Sequence, residues 1–491
     1  MAFHQLPFLA TFCVFYVAFL AAPQKHKNLL MLAMSYFCYG LWDWRFLSLL
    51  IISTLIDYVS ALTIHAPSAG VLRRRIAMAC SVMGNLGLLC SFKYFNFFVD
   101  SAASLLGSLG FQANLPLLNV VLPAGISFYT FQTLAYTIDV YRREIPAERN
   151  LIDFATFVSY FPQLVAGPIE RARDLLPQIK ADKRVTIDGF LLGVRLFGMG
   201  VFKKIFIADN LGTLVEYVFS DVGKHTPVTL LVAAYCFTFQ IYCDFSAYTD
   251  MGRGLGRMTG IRLRENFNLP LFAESMRDFW RRWHMSLSTW FRDYVYFPLG
   301  GNRYGALRTA RNLIVTFAIS GLWHGAGWNF ILWGLVHGCW VAGEFLLERT
   351  RLTRCWRALP SPLRIAVTFH VVAFTFVLFR CPTLAAFGDY WQALSGGLSV
   401  AWHRVLACPT WFDVADLAYA ALTPQDRLHV VQLCLFAVPL LLFELLQLLR
   451  NDRTVDLRLP LVPRMFAYSL AISLLMLLGS QSGTQFIYFQ F

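Results

Sequence analysis

The chain has 491 residues, of which 57% are hydrophobic and only 14% are charged, with a formal net charge of +13. Soluble domains carry roughly 25% charged residues, so this composition excludes an ordinary soluble globular protein and predicts an integral membrane protein. Cytoplasmic loops of membrane proteins are enriched in Lys and Arg, which accounts for the positive excess, and no nucleic-acid partner is expected. The eleven cysteines are scattered without C-x-x-C spacing, so neither a disulfide framework nor a metal site is predicted.

The first hundred residues are predicted to form four membrane-spanning helices, because each span needs roughly 20 apolar residues. Their approximate bounds are 6–22, 28–42, 45–64 and 77–98. Residues 1–5 contain no Lys or Arg, so the first segment is predicted to be a retained span and not a signal peptide. Three loops two spans apart carry basic residues and residues 100–119 carry none, which predicts an extracytoplasmic N-terminus. These loop charges are Lys25, Lys27, Arg73, Arg74, Arg75, Arg142 and Arg143.

Two later apolar segments contain residues that break helices. Val120–Tyr141 carries a proline and a glycine in its first turn, and Tyr160–Arg173 carries two prolines and a glycine. Irregular backbone at membrane depth is tolerated only where it faces protein or a water-filled cavity. The second of these segments is therefore predicted to be re-entrant and not a simple span.

Two further spans are predicted at 187–208, which ends near Lys203 and Lys204, and at 227–251. The glycines of 252–256 follow the second of these spans in a G-x-G-x-G pattern. No strand precedes them and the spacing of a phosphate-binding fingerprint is missing, so nucleotide binding is not expected there.

The stretch Asn266–Gly338 concentrates polar and ionisable side chains among tryptophans. Its first half carries an apolar stripe at helical spacing, which predicts an amphipathic helix that lies along the cytoplasmic interface or dips into the bilayer. The stripe comprises Phe279, Trp283, Leu287 and Trp290. A helix that only anchors the protein and a helix that contributes His284 to a site are both compatible with this pattern.

In the second half of this stretch, His324 interrupts an apolar run and is bracketed by Gly321, Gly325 and Gly327. An ionisable side chain at membrane depth is costly and marks a function by default. Imidazole is suited to proton transfer near neutral pH, so His324 is a candidate general base for attack of a hydroxyl on an acyl carbon. From the residues alone, a hydrogen-bonded structural histidine is an equal alternative. His337, thirteen residues later, is predicted to be structural.

The C-terminal third is predicted to hold three spans, with an outside or interfacial segment at about 384–428 between the first two. The spans are 363–380, 429–449 and 464–479. We expect a single membrane-embedded domain of residues 1–491, built from N-terminal scaffold helices (1–110), a catalytic core (120–348) and C-terminal helices (363–491). The common hydrolase, zinc-protease and NTPase motifs G-x-S-x-G, H-E-x-x-H and Walker A do not occur.

Six motifs in this order resemble the membrane-bound O-acyltransferases, and within them the bacterial branch of the alginate O-acetyltransferase membrane subunit. They are LPAGISFYTFQ (Leu122–Gln132), YFPQLVAGPIER (Tyr160–Arg171), YCDFSAYTDMGRG (Tyr242–Gly254), DFWRRWHMSLSTWFRDYVYFPLGGNR (Asp278–Arg303), GLWHGAGWNF (Gly321–Phe330) and FIYFQF (Phe486–Phe491). In the third motif, Ala247 and Thr249 stand where the family pattern has glycine and serine.

At roughly 20 residues per span, the sequence has ten to twelve apolar segments. The resemblance implies an all-α polytopic membrane protein of the bacterial inner membrane, in which about 10–12 transmembrane helices form a ring, with re-entrant or interfacial helices, around a central tunnel. It implies that His324 is the catalytic histidine and His284 the second functional histidine. The tunnel candidates are Trp323, Asn329, Trp283, Ser286 and Asp244. The candidates for binding the donor's phosphates are Arg281, Arg282, Arg253 and Arg257, although ordinary loop charge explains these arginines equally well.

The same resemblance implies a cytoplasmic thioester donor, most simply acetyl-CoA, with no tightly bound cofactor and no metal. A donor bound to a carrier protein, as in the related teichoic-acid D-alanylation enzyme, is the lesser alternative. The acyl group would pass across the membrane to an extracytoplasmic partner, an SGNH-type acetyltransferase or acetyl-relay protein, which acylates a polysaccharide.

Three classes of function therefore remain for comparison. The first is O-acetylation of a secreted polysaccharide, with peptidoglycan as the alternative acceptor for the same chemistry. The second is a transporter of a glycan or lipid precursor, because broken helices and polar residues at membrane depth suit transport as well. The third is direct acylation of a protein or lipid from a long-chain donor.

Overall fold

The computed structural model describes residues 2–111, 115–118, 121–164, 167–348, 350–406, 422–480 and 486–487. Within these ranges the chain is helical and contains no β-strand, so the predicted all-α class is confirmed. The α-helices are α1 (Leu6–Ala21), α2 (Gln24–Gly40), α3 (Trp44–His65), α4 (Val71–Leu89), α5 (Phe95–Ser108), α6 (Ile126–Tyr141), α7 (Leu151–Ser159), α8 (Phe161–Leu164), α9 (Ala172–Lys180), α10 (Ile187–Val201), α11 (Asp209–Phe219), α12 (Pro227–Met258), α13 (Met276–Arg282), α14 (Met285–Phe291), α15 (Ala306–His324), α16 (Trp328–Leu346), α17 (Arg351–Ala358), α18 (Ser361–Arg380), α19 (Leu384–Leu406), α20 (Pro424–Arg450) and α21 (Leu461–Leu478).

Six helical segments in the described part of the chain are long and apolar enough to cross a membrane, or seven if the bent pair α16 and α17 forms one span. The six are Trp44–His65, Val71–Ser108, Pro227–Met258, Ser361–Arg380, Pro424–Arg450 and Leu461–Leu478. A polytopic membrane protein is thereby confirmed. Other predicted apolar segments are short or interrupted helices, such as the 16-residue α1, and the ring around a tunnel stays a prediction.

Several predicted boundaries differ from the observed ones. The loop predicted at 100–119 is helical as far as Ser108, because residues 102–106 are helix-compatible Ala, Ser and Leu; residues 112–114 and 119–120 lie outside the described ranges. The span predicted to end near Lys203 continues through a π-helix, Phe202–Ala208, directly into α11. The interfacial segment predicted at 384–428 contains α19 and the start of α20, and its residues 407–421 are not described.

The helices group into two compact units. The first unit comprises Met1–Gly200, Tyr248–Asn266 and His284–Leu299. In it, a buried polar cluster joins α3, α4 and α6: the Asp57 carboxylate accepts hydrogen bonds from Ser81, from Asn85 at 2.8 Å and from Thr137 at 2.9 Å. A buried carboxylate requires such donors, so this cluster fixes the relative position of the three helices.

The second unit comprises Val201–Ala247, Phe267–Trp283 and Gly300–Phe491. In it, helices α15 and α16 pack closely against each other, and their backbones approach at glycines. A Cβ atom added to Gly321 would lie 2.2 Å from the Phe330 carbonyl oxygen, and one added to Gly334 would lie 2.3 Å from that of Phe317. No larger residue fits at these positions, so the glycines allow the two helices to form a tight hairpin.

Candidate active site

His324 is the last residue of α15 and lies in the second unit. Gly325 follows in an extended conformation and α16 begins three residues later, at Trp328. Gly325 thus ends α15 and Gly327 precedes α16, whereas Gly321 lies within α15. His324 is buried, at 3% exposure. The fold thus places an imidazole inside the protein at a break between two apolar helices.

Aromatic rings surround the His324 imidazole on several sides. The ring centroids of Trp323, Trp333 and Phe379 lie at 5.0, 5.2 and 5.5 Å, and each ring is nearly perpendicular to the imidazole. These contacts fix the orientation of the imidazole in apolar surroundings. Such a site excludes water and strengthens electrostatic interactions within it.

Asn329 belongs to the first turn of α16 and is buried. Its side-chain amide donates a hydrogen bond of 2.8 Å to the carbonyl oxygen of Cys381, the residue that follows α18. This bond ties the start of α16 to the end of α18, which also supplies Phe379. Asn329 therefore positions the elements around His324, and a role in a substrate tunnel stays a prediction.

His337 and two tryptophans form a second layer next to His324, and neither tryptophan was predicted from the sequence. Trp280 of α13 donates its indole N–H to His337 Nδ1 at 3.3 Å, and the Trp333 ring lies 4.6 Å from His337. Trp333 and His337 are four residues apart on α16, so they share one face of the helix. That spacing beside a second histidine is the signal that could have identified Trp333.

Two N–H groups in this layer are buried without a hydrogen-bond partner among the described residues: Nε1 of Trp333 and Nε2 of His337. Because His337 Nδ1 accepts from Trp280, Nε2 carries the proton of the neutral ring. Unsatisfied buried donors are costly and are uncommon in native proteins. Both are suited to donate a hydrogen bond to an oxygen atom of a ligand beside His324.

His284 belongs to the first unit, and its surroundings correct the predicted single amphipathic helix. The helix is broken there: α13 ends at Arg282 and α14 begins at Met285, with His284 in the left-handed region at φ 45°. The prediction failed because residues with positive φ are usually glycine or asparagine, and nothing in the periodicity of the stripe indicates a histidine in that conformation.

Asn266 organises the backbone and side chains around this break. Its backbone carbonyl accepts a bond of 2.9 Å from Met285 N, and its side-chain oxygen accepts from Ser286 N at 3.1 Å and Ser286 Oγ at 2.9 Å. Ser286 Oγ in turn accepts from Ile169 N at 3.0 Å. Ser286, a predicted tunnel residue, therefore connects three separate segments of the first unit.

The His284 imidazole is fully buried, with Nδ1 lying 3.3 Å from Asn266 Oδ1. Since that oxygen is an acceptor, Nδ1 is the donor and Nε2 has the lone pair of the neutral ring. Burial lowers the pKa of His284 to about 3, because the surroundings do not solvate a charged ring. His284 is thus a neutral imidazole at physiological pH.

Two other predicted tunnel residues lie in well-packed surroundings of the second unit. Trp283 is buried against Phe267, Phe279 and Phe376, with ring centroids 5.0 to 5.4 Å away. Asp244 of α12 forms an ion pair of 2.9 Å with Lys204. Their contacts are those of packing and ion pairing, and a role in a tunnel stays a prediction for both.

The four arginines predicted to bind donor phosphates differ in their surroundings. In the first unit, Arg253 is paired with Glu265 at 2.7 Å and with Asp250 at 3.4 Å, and Arg257 is half-buried. In the second unit, Arg282 is paired with Asp278 at 2.9 Å. Arg281 is exposed and forms no ion pair in the described ranges, so of the four it is the cation most available to a ligand.

A metal site was not predicted, and no group of His, Cys, Asp and Glu side chains suited to hold a metal ion occurs among the residues that the structure describes. The ten cysteines in these ranges are free thiols.

Comparison with known proteins defines the class of this chain. Residues 142–385 match the membrane-bound O-acyltransferase family. The probable alginate O-acetylase AlgI of Pseudomonas aeruginosa is 42% identical, with 80% of this chain and 75% of that protein covered. The corresponding protein of Pseudomonas putida is 37% identical, with both chains covered completely. The peptidoglycan O-acetyltransferase of Helicobacter pylori is 35% identical, with 78% of this chain and 76% of that protein covered.

The chain therefore belongs to the membrane-bound O-acyltransferase family, as its sequence motifs predicted. It is an O-acyltransferase and a multi-pass membrane protein.

Proposed function

We propose that this chain takes an acetyl group from a cytoplasmic thioester, most simply acetyl-CoA, and passes it across the inner membrane for O-acetylation of a secreted polysaccharide. The supporting observation is His324, a buried imidazole at a helix break within aromatic rings, in a chain 37–42% identical to probable alginate O-acetylases. An extracytoplasmic SGNH-type or acetyl-relay partner then delivers the acetyl group to the glycan.

The proposed chemistry needs one base and one site for a developing negative charge. His324 takes the proton of an acceptor hydroxyl while the hydroxyl oxygen forms a bond to the carbonyl carbon of the acetyl group. The tetrahedral intermediate then collapses, the carbon–sulfur bond breaks, and the imidazolium returns the proton to the leaving thiolate. General base catalysis of this kind contributes typically about 10² to 10⁴ in rate. Alignment of the two substrates supplies much of the remainder.

The orphaned N–H groups of Trp333 and His337 are the proposed donors to the oxygen of that intermediate. Both are buried, and the Trp333 ring lies 5.2 Å from the His324 ring. A donor that has no partner in the ground state is free to stabilise charge that appears in the transition state. His284, neutral and held by Asn266, is the proposed second histidine of the reaction.

The test compares acetate released by mild alkali from surface glycans in cells carrying wild type, H324A or H370A at matched membrane levels. His370 is an exposed histidine of α18 and is the matched control. We expect acetate to fall to background in H324A, because loss of the base costs about 10² to 10⁴ in rate, and to stay unchanged in H370A. Undiminished acetate in a stable H324A protein would reject His324 as the base.

Peptidoglycan is the second candidate acceptor, supported by the 35% identity to the Helicobacter pylori enzyme. The same cells separate the two acceptors when acetate is measured independently in purified exopolysaccharide and in muropeptides. Loss of acetate only from muropeptides in H324A would replace the exopolysaccharide proposal with the peptidoglycan one.

If the protein were instead a transporter that carries out no chemistry, glycan export, and not glycan acetylation, would depend on it.

A further inference from the structure

A polar cavity of about 450 Å³ in the first unit is lined by four arginines and three acidic residues. Its arginines are Arg142, Arg171, Arg173 and Arg292, and its acids are Asp139, Glu144 and Asp293. We call this cavity the Arg171 pocket. None of its residues belongs to the site around His324 or to the four arginines predicted from the sequence as phosphate ligands. The lining side chains carry one positive charge in excess, and Arg173 also lies 3.9 Å from Asp174 outside the lining.

Arg171 is the buried member of the set, at 2% exposure, and it precedes α9. Its Nη2 donates to Asp293 at 3.0 Å and to the Thr289 carbonyl oxygen at 3.3 Å. Its Nη1 is buried and has no hydrogen-bond partner among the described residues. A guanidinium has five N–H donors in a planar fork, and a buried charged donor left unsatisfied is costly. The pocket therefore lacks an acceptor for Arg171.

Tyr294 brings a second cation close to Arg171. The guanidinium carbon of Arg171 lies 4.4 Å from the centre of the Tyr294 ring, and that of Arg142 lies 5.3 Å from the same centre. The ring is held in place because its hydroxyl donates to Asp139 at 2.6 Å. Two guanidinium groups against one ring repel each other, and an anion bound between them would reduce that repulsion.

The acidic residues of the pocket each have a partner already, and none of them accepts a hydrogen bond from Nη1 of Arg171. Asp139 accepts from Tyr294, and Asp293 is shared between Arg171 at 3.0 Å and Arg292 at 2.8 Å. Glu144 lies 3.9 Å from Arg142, at the limit of an ion pair. The unsatisfied Nη1 donor of Arg171 thus calls for an acceptor from outside the chain, and the positive excess of the lining favours an anion.

We infer that the Arg171 pocket binds a phosphate group. Arginine forks match the geometry of phosphate oxygens and bind them in bidentate fashion, and a cavity of about 450 Å³ holds a phosphate together with part of the molecule that carries it. Arg142 belongs to a loop whose charge predicts a cytoplasmic position. The phosphate comes either from a soluble molecule, which under the proposed function is the acyl donor, or from a lipid headgroup.

The test measures binding of inorganic pyrophosphate to the purified full-length protein in an uncharged detergent by isothermal titration calorimetry. The test variant is R142Q/R173Q, in which both substituted side chains are exposed. The control is R73Q/R75Q, which loses the same charge at exposed positions of α4. We expect the pyrophosphate Kd to rise about tenfold or more in the test variant and less than about twofold in the control.

The variant R171K separates the geometry of the site from its charge. It keeps the positive charge but loses the planar fork, so we expect the Kd to rise in R171K as well. Equal Kd values in R142Q/R173Q and R73Q/R75Q, or no pyrophosphate binding by wild type, would overturn the inference. An unchanged Kd in R171K would reject the role of the Arg171 fork.

Lipid added to the micelles distinguishes the two sources of phosphate. Displacement of pyrophosphate by coenzyme A, and not by phosphatidylglycerol, supports a soluble phosphorylated ligand. Displacement by phosphatidylglycerol, and not by phosphatidylcholine, supports a lipid headgroup. The same titration in an H324A protein keeps the inference separate from the proposed function, because binding of phosphate does not require the base and is expected to be unchanged there.

Discussion

A buried histidine remains neutral when its surroundings do not stabilise a proton, and His284 meets that condition. Its ring is fully buried, the Phe128 ring lies nearly parallel to it at 6.3 Å, and Nδ1 faces the side-chain oxygen of Asn266. The ring can thereby donate from Nδ1 and keep a lone pair on Nε2, which is the state that a base requires. The identity of His284 as a candidate was predictable from the sequence, whereas its left-handed backbone and its partner Asn266 were not.

This burial predicts a stability that depends on pH. The pKa of His284 is about 3 in the folded protein and about 6.5 in an unfolded chain, so between these values the unfolded chain binds the extra proton. The free energy of unfolding is therefore undiminished by His284 above pH 6.5. It falls as the pH drops towards 3, and this group lowers it by up to about 1.4 kcal/mol per pH unit.

The measurement is the thermal denaturation midpoint in detergent at pH 7 and pH 5, for wild type, H284N and the exposed control H370N. Asparagine tolerates the left-handed backbone of residue 284 and does not titrate. We expect the drop in midpoint between the two pH values to be smaller in H284N than in wild type and in H370N. An identical drop in all three proteins would contradict the neutral, buried state of His284.

At the scale of helices, the α15–α16 hairpin carries His324 at its break, and close backbone approach holds it together. The sequence showed glycines on both sides of His324. The contacts of Gly321 with Phe330 and of Gly334 with Phe317 could not be predicted, because a single sequence does not specify which helix a glycine faces. The break between α13 and α14 was likewise hidden, since the apolar stripe continues across it.

This packing predicts that G334A is destabilising. Its new Cβ would lie 2.3 Å from the Phe317 carbonyl oxygen, so the helices must move apart, and overpacking of this kind costs typically about 1–3 kcal/mol. The control is G343A on the same helix, where no atom lies within 4 Å of the new Cβ. We expect a lower thermal midpoint and reduced glycan acetylation in G334A only. Equal midpoints for the two variants would contradict close packing at Gly334.

At the scale of the whole chain, charged residues distant in sequence meet inside the second unit. Lys204 lies in the π-helix before α11 and forms ion pairs of 2.8 Å with Asp209 and 2.9 Å with Asp244. The other oxygen of Asp244 accepts a bond of 2.8 Å from the backbone N–H of Ile487, near the chain end. The sequence predicted the apolar span that carries Asp244, and the family resemblance made Asp244 a tunnel candidate. Neither composition nor periodicity indicates which lysine neutralises it.

The cluster predicts a large effect from the loss of Lys204, the cation that pairs with both Asp209 and Asp244. All three side chains are buried, at 1 to 3% exposure. In K204M two carboxylates remain in a low-dielectric interior, and breaking a buried pair in this way costs typically about 3–5 kcal/mol. The triple variant K204M/D209N/D244N removes all three charges at nearly constant volume, and such replacements are often neutral or stabilising. Its amide groups can still hydrogen-bond to one another and to Ile487.

We therefore expect K204M to denature at a markedly lower temperature than wild type in detergent, and the triple variant to recover most of the difference. A K204M protein as stable as wild type would mean that the ion pairs contribute little to folding. Glycan acetylation by the folded triple variant then tests the predicted tunnel role of Asp244 separately. Transfer lost in a protein of normal stability would support that role, whereas transfer retained would remove Asp244 from the substrate path and leave it as the anchor of the chain end.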